Sequence, residues 1–217
     1  DDYLVGYTLG EDLAARNPGD SEGKKVGIIS GYKDTCCAGE RTRGVLDALA
    51  DTDYEIQFTI NVTYETSITE MFMQQKPVDY LIVLETGILE EIAKILSDKQ
   101  ENGMKVYGIG SSIKCVYYLD EAVIDGLIVV DGYDMGYQSG LQISDMLNKR
   151  LHRTKDQATD YRLLHKERLE LPAPGRVPHL SVQLRDLVQR GEFFLLPLRH
   201  LLMTLVVADI LLHRLDV

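Results

Sequence analysis

The chain has 217 residues, a length that suits one domain or one domain with an appendage. Hydrophobic residues make up 45% and charged residues 26%, which is the composition of a soluble globular protein. The formal net charge is −11, and this acidic balance argues against binding to nucleic acid or to an anionic membrane, because both need a basic face.

Hydrophobic patterns along residues 1–151 alternate between those of helices and those of strands. Apolar side chains three to four residues apart predict helices, and short apolar runs bounded by turn residues predict buried strands. In chain order the patterns predict a helix over 3–16, a strand over 24–30, a helix over 38–50, a strand over 54–61, a helix over 63–75, a strand over 79–85, a helix over 87–100, a strand over 104–110, a helix over 117–124, a strand over 127–131 and a helix over 133–151. This alternation predicts an α/β fold with an open parallel five-stranded sheet and helices on both faces, a Rossmann-like or flavodoxin-like lobe.

Residues 152–217 differ in composition and are predicted to form a separate, mostly helical tail. Lys166 is the last lysine, and leucine, arginine and proline become frequent after it. The apolar stretch 193–212 is interrupted by proline and charged residues, which favours packing on a partner surface over a membrane span, since a span needs about 20 mostly uncharged residues. The abrupt change near 167–170 suggests a fusion junction or a change of reading frame, so the tail is interpreted as non-native or partner-packing sequence.

Polar and aromatic side chains follow the predicted strands. Ligands of open parallel sheets bind beyond the carboxyl ends of the strands, so these side chains are candidates for a binding site. The candidate ligand-binding residues are Tyr32, Arg41, Tyr64, Glu85, Gly110, Val130 and Asp131. The set suits a neutral sugar or polyol, because Tyr64 offers an aromatic face, Arg41 a fixed fork of donors and Glu85 paired acceptors. Taken singly, each is better explained as a loop side chain or a helix cap, whereas together at one sheet edge they favour a binding site.

Enzyme signatures are missing from residues 1–151. The segment 108–112 follows a strand but lacks the third glycine of a dinucleotide fingerprint, and there is no phosphate-binding loop. All five histidines lie at or after position 152, which excludes a Ser–His or Cys–His dyad before that point. The cysteines, Cys36, Cys37 and Cys115, show neither a disulfide framework nor metal spacing. We therefore predict no catalysis, no cofactor and no metal; Cys36 as a reactive thiol and an enzyme on a flavodoxin-like sheet are weaker alternatives.

Four sequence segments in the same order and spacing carry a resemblance to a known family. They are KVGIISG with ERTRGVLDAL, PVDYLIVLETG, KVYGIG and VIDGLIVVDGYDMGYQSG. Through them the chain resembles the type I periplasmic binding proteins, above all the ribose-type sugar receptors and the related LacI-type repressor effector domains. Family members have two similar lobes around a cleft. The resemblance implies that residues 1–151 are the C-terminal lobe and that an N-terminal lobe is missing before Asp1.

The family pattern also implies roles for the candidate residues. Arg41 matches the arginine that binds sugar hydroxyls, Tyr64 falls where an aromatic ring lies against the sugar, and Glu85 falls where Asn or Asp is common. Gly110 stands in place of the usual Asp, and Val130, followed by Asp131, stands in place of the usual Gln. These two departures leave the identity of the ligand open.

The resemblance implies binding of a sugar or sugar-like solute without catalysis, for an ABC transporter or a membrane sensor in the periplasm or outside the cell. This chain begins without a signal-peptide pattern. The alternative is the effector-binding domain of a LacI-type transcription repressor, with no contact to nucleic acid through this lobe. A helix-turn-helix upstream of Asp1 would favour the repressor, and a signal peptide or lipoprotein cysteine would favour the receptor.

Overall fold

A computed structural model describes residues 1–19, 22–33, 35–65, 67–99, 103–149 and 157–166. The described residues all belong to one compact unit, Asp1–Glu170. The predictions for the tail beyond Lys166, including the apolar stretch 193–212, lie outside the described residues. No helix in the described ranges is long and apolar enough to cross a membrane.

Helices and strands alternate along the described part of the chain, as the sequence predicts. In chain order they are α1 (Asp2–Arg16), β1 (Lys25–Ser30), α2 (Cys36–Leu49), β2 (Glu55–Asn61), α3 (Ile68–Met73), β3 (Tyr80–Val83), α4 (Thr86–Lys99), β4 (Lys105–Ile109), α5 (Ile113–Asp120), β5 (Gly126–Val130), α6 (Gly132–Lys149) and β6 (Tyr161–Leu164).

The α3 and α5 helices depart most from their predicted starts, by five and four residues, and in both a serine cap sets the start. The α3 helix begins after Ser67, whose side chain accepts a hydrogen bond from the Glu70 N–H at 3.1 Å. The α5 helix begins after Ser112, which accepts from the Cys115 N–H at 3.2 Å. A serine cap satisfies an N–H that the first turn of a helix leaves unpaired. The hydrophobic periodicity carries no information about these caps.

The strands form one sheet in the order β2-β1-β3-β4-β5-β6. The first five in this order are parallel, which confirms the predicted α/β fold with an open parallel sheet. The sixth strand, β6, is antiparallel to β5, with Tyr161 opposite Val130. It lies in the segment predicted as a helical tail, and it covers the hydrogen-bonding edge that β5 would otherwise expose.

Hydrophobic side chains fill both faces of the sheet, because successive residues of a strand point to opposite sides. On one face Ile28 and Ile82 pack with side chains of α1 and α2. On the other face Leu81 and Val83 pack with α4 and α5. Helices on both faces are thereby confirmed, and the carboxyl ends of β1 and β3 are held side by side at the centre of the sheet.

The α1 and α2 helices approach each other closely through glycines. A Cβ atom on Gly44 would overlap the carbonyl oxygen of Tyr3, and a Cβ atom on Gly6 would overlap the carbonyl oxygen of Arg41. A Cβ atom on Gly10 would lie 2.9 Å from the Cβ of Ala48. The two backbones therefore meet without intervening side chains, which brings the first turn of α1 beside the first turns of α2.

The α6 helix is packed very differently. From Gly132 to Asn148 its side chains are all exposed or half-buried. The half-buried ones lie four residues apart, at Asp134, Gln138, Gln142 and Met146. The large apolar side chains that it exposes are Tyr133, Met135, Tyr137, Leu141, Ile143 and Leu147.

Candidate ligand-binding pocket

A pocket of about 430 Å³ opens at the carboxyl ends of β1 and β3. Gly31 and Tyr32 directly follow β1, and Leu84 and Glu85 directly follow β3. The pocket is lined by Gly31, Tyr32, Thr35, Cys37, Ala38, Arg41, Val62, Ile68, Leu84, Glu85, Gly87 and Ile88. It therefore lies at the sheet edge where ligands of parallel α/β folds bind.

Arg41 forms one wall of the pocket from the second turn of α2. Its Nε donates to Asp2 Oδ1 at 2.7 Å, and its Nη1 donates to the carbonyl oxygen of Leu84 at 3.0 Å. The side chain is 21% exposed. A guanidinium carries five N–H donors, so two bonds fix its position while other donors stay available to a ligand.

Glu85 forms the adjacent wall and also begins α4. Its Oε2 accepts a hydrogen bond from the Ile88 N–H at 3.0 Å, and its carbonyl oxygen accepts from the Leu89 N–H at 3.0 Å. A carboxylate at this place is stabilised by the partial positive charge of the helix N-terminus. Capping uses one carboxylate oxygen, and the other can accept a hydrogen bond from a hydroxyl group.

Two stacked tyrosines stand at the rim. The rings of Tyr32 and Tyr64 are 4.0 Å apart between centroids and 12° from parallel. Tyr32 lines the pocket, whereas Tyr64 is 85% exposed and reaches it through this stack. The outer face of Tyr64 is open, and an aromatic face suits the C–H surface of a sugar.

The other three candidate residues lie apart from this pocket. Gly110 faces α5, since a Cβ atom there would lie 2.6 Å from Cys115 Sγ. Val130 pairs with β6. Asp131 caps α6 by accepting from the Asp134 N–H at 2.9 Å. A ligand role for these three stays a prediction, and the pocket at β1 and β3 is formed without them.

Some of the pocket is built from residues that the sequence analysis did not single out. Val62 and Ile68 belong to its apolar lining, and Cys37 comes from the start of α2. Cys37 is half-buried, whereas Cys36, the cysteine considered as a reactive thiol, is exposed and outside the lining. Their spacing gave no signal, because the loops after β1 and β2 meet only in the folded sheet.

Metal ligands do not gather in the described residues. Nowhere in these ranges do three or more His, Cys, Asp or Glu side chains come together in a way that could hold a metal ion.

The largest change in pKa among the described residues belongs to a tyrosine of the hydrophobic core. Burial raises the pKa of Tyr107 to about 12, and Asn17 at the end of α1 donates to its hydroxyl at 3.3 Å. Tyr107 therefore serves to anchor α1 to β4 and lies outside the pocket lining.

Comparison with known families gives one match. The family model of the periplasmic binding protein domain matches residues 1–150. A sequence comparison with curated proteins gives no match.

Many solved structures share the fold. A carbohydrate transporter solute-binding protein from Agrobacterium radiobacter, in complex with D-arabinose, is similar with a TM-score of 0.67 and 19% identity, over 78% of this chain and 61% of that chain. GanP, a glucose-galactose binding protein from Geobacillus stearothermophilus, is similar with a TM-score of 0.66 and 20% identity, over 79% of this chain and 62% of that chain.

A regulator also shares the fold. A Bacteroides fragilis protein described as a LacI transcriptional regulator is similar with a TM-score of 0.63 and 16% identity, over 78% of this chain and 61% of that chain. The chain thus spans about 61% of the length of the first of these structures. At these identities the likeness establishes the fold.

Proposed function

Because the chain belongs to the periplasmic binding protein family over residues 1–150, we propose that its pocket binds a neutral sugar or polyol and does no chemistry on it. The observation that supports this most directly is the convergence of Tyr32, Arg41 and Glu85 on one pocket at the strand ends. Those three residues supply an aromatic ring, fixed donors and an acceptor. Together they match the three kinds of surface that a sugar presents.

The binding mode follows from the geometry. Arg41, held by Asp2 and the Leu84 carbonyl, donates its remaining N–H groups to hydroxyl oxygens of the ligand. The second carboxylate oxygen of Glu85 accepts from a hydroxyl. The apolar side chains of Val62 and Ile68 and the tyrosine stack contact the C–H faces of the ring.

The absence of catalysis is part of the proposal. Cys37 and Thr35 are the nucleophiles of the lining, and no histidine is among the described residues that line the pocket with them. A thiol or hydroxyl needs an adjacent base or a lowered pKa to act as a nucleophile. Arg41 and Glu85 also both serve structural bonds, which suits recognition better than proton transfer.

We propose that the whole protein is an extracytoplasmic solute receptor of the periplasm or cell exterior. A second lobe would supply the opposite wall of the cleft and close on the sugar by a hinge motion. The closed form would then be presented to an ABC transporter or a membrane sensor. A solved neighbour is a carbohydrate transporter solute-binding protein, which favours the transporter role.

A LacI-type effector domain is the second candidate, favoured by the likeness to the described regulator. Both candidates use the same lobe and the same pocket. The sequence of the gene upstream of the codon for Asp1 distinguishes them. A helix-turn-helix there identifies a repressor, and a signal peptide or a lipoprotein cysteine identifies a receptor.

Thermal-shift titration with D-arabinose, D-allose, D-glucose and D-galactose tests the binding proposal. A ligand that binds only the folded state raises the melting temperature by mass action. We expect at least one of these sugars to raise the melting temperature of the wild-type chain, and Arg41→Ala to abolish the rise.

Arg43→Ala is the matched control. Arg43 lies on the same helix and pairs with Glu40 at 2.6 Å, outside the pocket lining. The Arg43→Ala substitution removes the same charge as Arg41→Ala, and sugar should still raise the melting temperature of this variant. An unchanged response in Arg41→Ala, or no response to any sugar after a second lobe is supplied, would contradict the proposal.

A further inference from the structure

The carboxylate of Asp2 reaches the pocket wall from a different helix. Its Oδ1 accepts a hydrogen bond from Arg41 Nε at 2.7 Å, in an ion pair whose side chains are 41% and 21% exposed. Hydrogen bonds between two charged groups are shorter and stronger than neutral ones. Partial burial also protects such a pair from screening by salt.

The start of α1 leaves Asp2 available for this contact. Asp1, not Asp2, caps the helix, accepting from the Leu4 N–H at 3.1 Å. The glycine contacts at Gly6 and Gly44 then bring the backbones of α1 and α2 together, so that the first turn of α1 lies beside Arg41. The contact is therefore fixed by helix packing and does not depend on a flexible loop.

The Asp2 contact changes how Arg41 can meet a ligand. A guanidinium binds a carboxylate best through two parallel N–H bonds, and the side-on fork consists of Nε and Nη2. Asp2 occupies that fork at Nε, and the Leu84 carbonyl takes a further N–H at Nη1. The three remaining N–H groups, one on Nη1 and two on Nη2, can donate to hydroxyl groups of a ligand.

The charges around the pocket also favour a neutral ligand over an anionic one. Arg41 is the only cation among the described lining residues, and Glu85 is an anion on the neighbouring wall. Asp2 adds a second carboxylate in contact with Arg41. An anionic ligand would thus approach two carboxylates and a cation that is already paired, and like charges in proximity disfavour binding.

From this geometry we propose that Asp2 determines the charge preference of the pocket. It holds and neutralises Arg41, so that the pocket accepts a neutral sugar and rejects the corresponding sugar acid. The inference rests on the proposed function, since it names the ligand class of that same pocket. Asp2 itself is a positioning residue, which acts on the ligand through Arg41.

Paired titrations of the full chain with D-galactose and D-galacturonate at pH 7 test the inference. These probes share a ring and differ in one carboxylate. We expect the wild-type chain to prefer galactose, and Asp2→Asn to shift the ratio of the two dissociation constants toward galacturonate by about tenfold. If Asp2 had a purely structural role, its replacement would weaken the binding of both sugars equally and leave the ratio of the two dissociation constants unchanged.

Asp47→Asn is the matched control. Asp47 lies at the same helix pair, where it accepts from the Tyr3 hydroxyl at 3.1 Å, and it is outside the pocket lining. The Asp47→Asn substitution removes a negative charge from the same helix pair, and the ratio of the two dissociation constants should stay at its wild-type value. An equal shift in Asp47→Asn and Asp2→Asn would overturn the inference, because it would show an effect of overall charge.

A measurement without ligand separates this inference from the proposed function. We expect the Nε–H signal of Arg41 in ¹⁵N NMR spectra to be protected from solvent exchange in the wild type and in Asp47→Asn, and to lose that protection in Asp2→Ala, which has no acceptor for it. An unchanged signal in Asp2→Ala overturns the inference even where galactose binds normally. The proposed function is overturned separately, by the absence of a response to every sugar of the thermal-shift panel after a second lobe is supplied.

Discussion

Glycines in two helical regions of this protein differ in what surrounds them. In α1 and α2, Gly6 and Gly44 stand where a Cβ atom would overlap the backbone of the other helix. In α6, Gly136 and Gly140 have nothing within 4 Å of the place a Cβ atom would take, among the described parts of the chain. The glycines of α1 and α2 are thus covered by a second helix, whereas no described residue covers those of α6.

The difference shows that a glycine pattern does not by itself reveal packing. Gly136 and Gly140 are four residues apart and share a face of α6 with Tyr133 and Tyr137, which are 65% and 54% exposed. A comparable run of small residues, Gly6 and Gly10 in α1, is buried. The two regions differ in whether a described helix packs on the glycine face. For α1 that helix is α2, which is distant in sequence.

Replacing Gly44 by alanine should break the pairing of α1 with α2 and has the largest expected effect. The added methyl group meets the carbonyl oxygen of Tyr3, so α1 must move away from α2. We expect the free energy of unfolding to fall by about 3 kcal/mol, as measured by urea denaturation.

Gly39→Ala in the same helix is the control, because nothing lies within 4 Å of the position its Cβ would take. Its stability should rise slightly or stay level. Equal losses in Gly44→Ala and Gly39→Ala would mean that the cost comes from the helix itself and not from the contact with α1.

The contact between Tyr107 and the end of α1 can be tested through the pH dependence of the free energy of unfolding. Tyr107 is 2% exposed, and its pKa of about 12 lies above the value of about 10 expected in the unfolded chain. A raised pKa stabilises the folded state below pH 10, and that contribution is lost as the pH rises through 10 to 12. We expect Tyr107→Phe to lower the free energy of unfolding by about 1 kcal/mol at pH 8.

The advantage of the wild type over Tyr107→Phe in the free energy of unfolding should then shrink and change sign as the pH rises from 10 to 12, because a shift of about two pKa units outweighs a hydrogen bond of about 1 kcal/mol. Denaturation curves at pH 8, 10 and 11 measure it, and the comparison cancels the ionisation of other tyrosines. A difference that stays constant across this range would contradict the assigned pKa.

Replacing Gly140 in α6 by alanine sharpens the comparison and has the smallest expected effect. Alanine is favoured over glycine inside a helix by about 0.5–1 kcal/mol, and nothing in the described residues opposes a methyl group there. We expect a gain of that size in the free energy of unfolding. A loss similar to that of Gly44→Ala would show that the face is covered in solution.

Most of the fold was predictable because its signals are local. The run Tyr80–Val83 is buried at every position and the pattern of α4 repeats over four turns, so both are found from hydrophobic spacing alone. The β6 strand was missed because nothing in Tyr161–Leu164 shows that β5 has a free edge. Pairing of that kind is a property of the sheet, which the local sequence does not contain.

The pocket was predictable in part. The rule that ligands bind at the strand ends correctly directed attention to the loops after β1 and β3, where Tyr32, Arg41 and Glu85 meet. The same rule applied to β4 and β5 gave Gly110, Val130 and Asp131, which lie outside this pocket. Asp2 was not considered, because its contact with Arg41 spans 39 positions in the chain and depends on glycines in two helices.

The stretch of chain between β5 and β6 has its two ends hydrogen-bonded to each other. The backbone N–H of Asp131 donates to the carbonyl oxygen of Asp160 at 3.1 Å, so the stretch that begins at α6 leaves and returns at a single point. Replacing this stretch by a short turn should therefore leave the hydrogen bonds between β5 and β6 in register.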